Sequence, residues 1–308
     1  MDGLVTRQAP HVDVAALDLL EVERRMAALI GVNDEGSIAS ANAASAADMY
    51  HLQTGGQRIR ARLALQASIS LGLTREDACS LASTAELLHN ASLIHDDLQD
   101  RDRSRRDCDA AWVVYGDGVA ICAGDLLLSA AYCALVGFSC KSRLPRMMKL
   151  THERVMHAVS GQCADLSVQK TQPFSIEDYK KIAVAKSGAL LGLPIELALI
   201  AADKTDALAV AKKAADSFAI GYQICDDLQD VEADMTRCAT VPATNIVQVL
   251  QSNRAVTKRY ASDLAHKLGL EHLMSAAATS ADLPSDAGRL LQQLAVEWHT
   301  RLTESCCR

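Results

Sequence analysis

The chain has 308 residues, 49% of them hydrophobic, 22% charged and only 4% aromatic, so it can bury a sizeable core built from aliphatic side chains. Its 31 basic and 38 acidic residues leave a net charge of −7, which argues against a nucleic-acid partner and the basic face it needs. Taken alone, the same balance argues against polyanionic ligands such as diphosphates.

Apolar residues recur at three- and four-residue steps almost throughout, with few alternating β-branched runs, so the elements read as helices. The pattern predicts helices over residues 13–31, 38–52 and 57–71. Thr74, with Asp77 three residues on, makes a capping-box-like start for a helix running to about residue 102. Further helices are expected over 117–139 and 145–170, and from Ser175 with Asp178 to an end near Gly192-Leu193-Pro194. The last ones cover 204–233, 243–268 and 285–304. Turns fall at Gly55-Gly56, Gly116-Asp117-Gly118 and Gln172-Pro173. No linker or shift of composition divides the chain, which predicts one all-α domain over residues 1–308.

The 10 cysteines show no CxxC spacing and no paired histidine cluster, so no zinc site is expected. Most lie in apolar surroundings and read as reduced thiols packed as small hydrophobes. Residues 1–12 lack the apolar segment of a signal peptide, and a cytoplasmic location is expected. The longest apolar stretches, 126–140 and 187–202, read as shorter than the roughly 18–20 residues of a membrane span. No span is therefore expected.

One internal echo stands out. Ile94-His95-Asp96-Asp97-Leu98-Gln99-Asp100 returns as Ile224-Cys225-Asp226-Asp227-Leu228-Gln229-Asp230, 130 residues later. Each copy follows an apolar helical run, so packing that run carries the carboxylates to the mouth of a bundle. On a helix Asp96 and Asp100 share a face, as do Asp226 and Asp230. Carboxylates converging there repel and raise one another's pKa, and divalent cations remove the conflict. Oxygen-only donors of this kind suit Mg²⁺, whose shell is completed by water and substrate phosphates. Two such clusters across a cavity form a clamp for a metal-bound diphosphate. Basic residues stand where that clamp needs them: Arg58 and Arg60 after Gly55-Gly56, Arg105-Arg106 beyond Asp100, and Lys186 in an apolar run.

These residues resemble the trans-isoprenyl diphosphate synthases, or polyprenyl synthetases, over about residues 50–235. Gly55-Gly56-Gln57-Arg58-Ile59-Arg60 is similar to the family's GGKRxRP, and residues 86–100 with Arg105-Arg106 to its first aspartate-rich motif. Gly161-Gln162-Cys163-Ala164-Asp165-Leu166 is similar to GQxxDL, Lys186-Ser187-Gly188 to K-T-[AG], and residues 223–230 to the second aspartate-rich motif. The resemblance implies an all-α isoprenoid-synthase-type bundle around a central cavity, a homodimer, and three Mg²⁺ ions between the motifs. It implies Asp96, Asp100 and Asp226 as principal metal ligands, with Asp97, Asp227 and Asp230 in support. Arg105, Lys186 and Gln223 would hold an allylic diphosphate; Arg58, His89 and Arg106, with Gln57, would hold isopentenyl diphosphate. Asp96, Asp100, Asp226 and Lys186 would carry catalysis. The small Ala91 and Ser92 upstream of Asp96 imply a product of C15 or longer, with C20 favoured.

Three departures from the family pattern stand in the sequence. Gln57 replaces a lysine, Asp107 stands where glycine is usual, and no lysine occurs between Lys213 and Lys258, leaving Arg237 as the candidate substitute. They keep open a synthase-derived terpene cyclase with a relaxed isopentenyl diphosphate site, and a non-catalytic partner subunit of a synthase. Against the cyclase, Arg58, His89 and Arg106 remain and the second motif is DDxxD; against the subunit, both aspartate motifs are intact.

Overall fold

A computed structural model describes residues 14–31, 43–167, 174–231 and 245–305. The turn expected at Gln172-Pro173 and the candidate Arg237 lie outside the described residues. Helices α1 (Val14–Leu29), α2 (Ala43–Gln53), α3 (Ile59–Ser70) and α4 (Arg75–Asp100) open the chain. After α4 a two-stranded ribbon pairs Ser104–Arg105 with Cys108–Asp109, and then come α5 (Ala111–Tyr115), α6 (Asp117–Val136) and α7 (Leu144–Leu166). Helix α8 (Ile176–Ala183) passes through a π-turn (Val184–Gly188) into α9 (Ala189–Ala201). The rest are α10 (Leu208–Gln229), α11 (Ile246–Arg254), α12 (Lys258–Ala281) and α13 (Arg289–Ser305). The fold is an all-α bundle.

Side-chain caps start α4, α8, α11 and α12. Thr74 accepts the Asp77 amide at 3.1 Å, and Ser175 and Asp178 close a full capping box. Helix α9 occupies the centre: every residue from Ala189 to Ala201 is buried, and α3, α4, α7 and α10 pack around it. Small residues set the close approaches, as where Gly192 faces Ala215 of α10 at 3.0 Å from where a Cβ would stand. Within α7 and α9, buried Arg154 and Glu196 pair through two hydrogen bonds, so the one acid of α9 is neutralised.

Three expectations need correction. The helix from Ser175 does not stop near Pro194. Proline there costs about 3 kcal/mol in a helix interior, but burial of its neighbours Leu193, Ile195, Leu197 and Leu199 returns roughly 1.5–3 kcal/mol for each. The helix expected over 243–268 is two helices, broken where Ala255 turns left-handed at φ 48° and Thr257 caps the next start. The second of them continues to Ala281. The apolar stretches also run further than the sequence reading allowed, because single acids such as Asp125 do not interrupt them. Asp117–Val136 and the continuous run Ile176–Ala201 are long and apolar enough to cross a membrane by length and composition, though 44% and 72% of their most apolar windows are buried in the bundle.

Candidate active site

The first aspartate motif forms the last turn of α4. There Asp96 is half-buried and Asp100 exposed, while Asp97 is 1% exposed and points the other way. Successive helical residues are about 100° apart, so the middle aspartate cannot share the face of the outer two. Asp97 instead receives Arg105 from the ribbon, whose Nε lies 2.8 and 2.9 Å from its two oxygens.

The second motif repeats the arrangement at the end of α10. Asp226 and Asp230 are exposed, and Asp227 is buried. Its carboxylate accepts the Tyr179 hydroxyl at 2.8 Å, the Gln223 amide at 2.9 Å and the Ile246 backbone N–H at 2.7 Å. Asp227 therefore ties α8 and the start of α11 to α10. Asp97 and Asp227, expected as supporting metal ligands, are occupied by protein partners behind the exposed face. Arg105 and Gln223, expected on the allylic diphosphate, are the partners that occupy them.

Lys186 lies in the π-turn, a rare geometry that recurs at functional sites. The turn brings its ammonium 2.8 Å from Asp165 and 3.9 Å from Asp100. Gly161 makes room for this, since a Cβ there would stand 2.5 Å from the Lys186 amide nitrogen. The adjacent Gln162 donates to Gln99 of the first motif at 3.0 Å. Burial works against the Lys186 charge, but Asp165, Asp96 and Asp100 outweigh it and raise its pKa. Burial likewise pushes Asp96 up to about 6, with Lys186 pulling it down and Asp100 adding to the rise.

From Asp96 a cavity runs inward between α4, α6, α7 and α9. Asp96, Gln99 and Lys186 line its polar end, and Leu88, Leu128, Val155 and Leu190 its apolar end. Ala91 and Ser92 line it between the two, and Leu88 lies two turns above Asp96, about 12 Å away along the helix axis. His95 also borders it; its ring packs on α6 at Gly124, where a Cβ would meet Nε2 at 2.1 Å.

A second, basic cluster stands where the Gly55-Gly56 turn meets the ribbon. Arg106 folds over Gly56 and donates to the Gly55 carbonyl. Arg60 Nη1 lies 3.1 Å from His89 Nε2, and Arg60 Nε is buried with no hydrogen-bond partner. Burial, then Arg60 and Arg106, hold the His89 pKa well below its usual value, so the ring is neutral. Arg58 differs from its expected role. It is 6% exposed and turned inward, donating to Glu23 at 3.2 Å and to the Leu52 carbonyl at 2.7 Å. Its φ of 50° at the start of α3 sends the side chain into the core while Arg60 takes the cluster. Gln57 is exposed on the turn. The sequence pattern offered both arginines, and only the backbone at residue 58 separates them.

The donor set fits Mg²⁺ in kind: Asp96, Asp100, Asp226 and Asp230 offer oxygen only. Among the described residues no group of three or more such side chains is assembled around one point.

Residues 42–252 match the polyprenyl synthetase family model, and the chain belongs to that family. It is 31% identical over 192 residues to the short chain isoprenyl diphosphate synthase of Methanocaldococcus jannaschii, covering 62% of this chain and 58% of that protein. It is 30% identical over 182 residues to the geranylgeranyl diphosphate synthase of Mycobacterium tuberculosis, covering 59% of this chain and 52% of the relative. The matches thus span little more than half the length of these relatives. The geranylgeranyl pyrophosphate synthetase of Pyrococcus horikoshii superposes with a TM-score of 0.79 at 22% identity, over 92% of this chain and 96% of that one. A polyprenyl synthase of Caulobacter crescentus, solved with calcium and isoprenyl diphosphate, superposes at 0.72 and 20% identity, over 91% and 94%. Both likenesses establish the all-α isoprenoid-synthase fold.

Proposed function

We propose that this chain is a Mg²⁺-dependent trans-prenyltransferase that condenses isopentenyl diphosphate with an allylic diphosphate to give a prenyl diphosphate of C15 or longer, chiefly C20. The observation that carries this reading is one continuous cavity. Asp96 and Lys186 line it together with aliphatic side chains, and the α4 wall between Leu88 and Asp96 carries the small Ala91 and Ser92. A charged head and an apolar tail are both accommodated. The named activities of the relatives support the same class of reaction.

Bound Mg²⁺ would supply charge neutralisation at the diphosphate oxygens. Asp96, Asp100, Asp226 and Asp230 would hold it. Lys186, poised between Asp165 and Asp100, adds a positive charge beside the departing group as the C–O bond breaks. The aliphatic walls keep water from the allylic cation, so the isopentenyl double bond captures it. Arg60, Arg106 and His89 hold the isopentenyl diphosphate on the opposite side. The proton lost after condensation goes to the released diphosphate. On this reading the chain acts as a homodimer in the cytoplasm.

The test is product analysis with purified protein, Mg²⁺, isopentenyl diphosphate and the C5 primer dimethylallyl diphosphate. C20 diphosphate is expected, Ala91→Phe shifts it to shorter chains, and Asp96→Ala or Asp226→Ala lowers the rate by about 10³-fold or more. Hydrocarbon from geranylgeranyl diphosphate alone would establish the cyclase instead. Inertness in both assays would establish the partner subunit.

A further inference from the structure

Helix α3 begins on a residue that cannot cap it. Arg58 occupies the N-cap position with a left-handed backbone and no side-chain hydrogen bond to the first turn. Backbone amides there need an outside acceptor or water. The acceptor comes from α4. Glu86, 1% exposed, accepts the Ala61 N–H with Oε2 at 3.1 Å. Its other oxygen accepts the Asn90 amide at 3.3 Å and stands 3.7 Å from Arg58 Nη1. One carboxylate thus caps a neighbouring helix and neutralises the buried guanidinium at its start.

This has a geometric effect on the basic cluster. Arg60 is the second residue of α3 and His89 lies one turn along α4 from Glu86, so the Arg60–His89 contact of 3.1 Å spans the two helices that Glu86 joins. Arg60 Nε is buried without a partner, and the hydrogen bond that aims its guanidinium is the Nη1 contact with His89. We propose that Glu86 is a positioning residue for the isopentenyl diphosphate pocket: by capping α3 and retaining Arg58, it sets Arg60 against His89 and Arg106. The inference rests on the prenyltransferase reading for the name of the ligand, and goes beyond it in assigning a residue that touches no substrate.

Steady-state kinetics of Glu86→Ala should show KM for isopentenyl diphosphate raised about ten-fold or more. KM for the allylic substrate and kcat should stay within about three-fold. Glu86→Gln, whose amide oxygen still accepts the Ala61 N–H, should return the isopentenyl KM to within about three-fold of the parent. A merely structural role would move both KM values together, and that result overturns the proposal, as does a Glu86→Gln variant as impaired as Glu86→Ala. Because Glu86→Ala leaves Arg58 buried without its carboxylate and can fail to fold, Glu86→Ala/Arg58→Met is made alongside it, with the same selective effect expected. Calorimetric titration of isopentenyl diphosphate into each protein is the second readout. If the parent binds this ligand but makes no product, the prenyltransferase reading fails while the binding contrast still decides on Glu86. If parent, Ala and Gln variants bind alike, or none binds, the positioning role is wrong.

Discussion

Arg106 and Asp107 form the tip of the ribbon with φ of 53° and 62°, both in the left-handed region. Aspartate tolerates that region better than most residues and glycine enters it without penalty, which is the physical reason for the family's glycine after the two arginines. Asp107→Gly should therefore raise stability by about 0.5 kcal/mol, whereas Asp107→Val should lower it by roughly 1–2 kcal/mol, because a β-branched residue is strained there. Urea midpoints of the two variants against the parent give the comparison, and a Gly variant less stable than the Val variant refutes it. The same scale explains what the sequence hid. That Asp96 and Asp100 share a face was legible from helical spacing, but not that Asp97 turns inward as an anchor for Arg105. Arg58 and Arg60 looked alike until a single positive φ sent one into the core.

At the scale of elements, the π-turn and the glycine facing it act together. A Cβ at residue 161 would lie 2.5 Å from the Lys186 nitrogen and 2.8 Å from the Ala185 carbonyl carbon, both backbone atoms that cannot swing aside. Gly161→Ala should therefore push the turn off α7, cost about 1–3 kcal/mol, and displace Lys186 from Asp165. The expected result is a fall in kcat larger than the fall in thermal stability explains, measured on variant protein shown to be folded by circular dichroism. Full activity in Gly161→Ala would mean that Lys186 does not depend on the turn. Helical periodicity made most of these elements legible, as did the capping residues Thr74 and Ser175. The π-turn itself was not, because one extra residue per turn leaves no mark in an apolar run. The break at Ala255 was missed for a related reason: alanine favours helix, and its left-handed turn is imposed by the packing of α11 and α12.

For the whole molecule, two buried groups one turn apart on α2 pull stability in opposite directions with pH. Asp48 is fully buried with both carboxylate oxygens lacking a partner, and burial pushes its pKa up to about 8. The unfolded chain releases this proton near pH 4 and the folded chain keeps it, so stability falls as pH rises from about 4 to about 8. His51 is held neutral at about 3, first by burial and then by Arg106 and Arg105. Its contribution is present above about 6.5 and is lost as pH falls toward 3. Asp48→Asn should stabilise the protein at pH 7 by up to roughly 4 kcal/mol and leave it unchanged near pH 4. Thermal unfolding across pH 4–8 measures this, and a constant offset at every pH contradicts it. Neither group was visible beforehand: an aspartate and a histidine in an Ala-rich helix carry no sign of which face is buried.

The inward aspartates have a further consequence. Because Asp97 is locked to Arg105, and Asp227 to Tyr179, Gln223 and the start of α11, the two acidic helix ends are held by bonds that involve no metal ion. Each motif is part hinge pin and part open hand. On the proposed reading, the outer carboxylates would exchange ligands, ions and water while the backbone that carries them keeps its place, so loading and unloading the clamp would require no refolding of its arms.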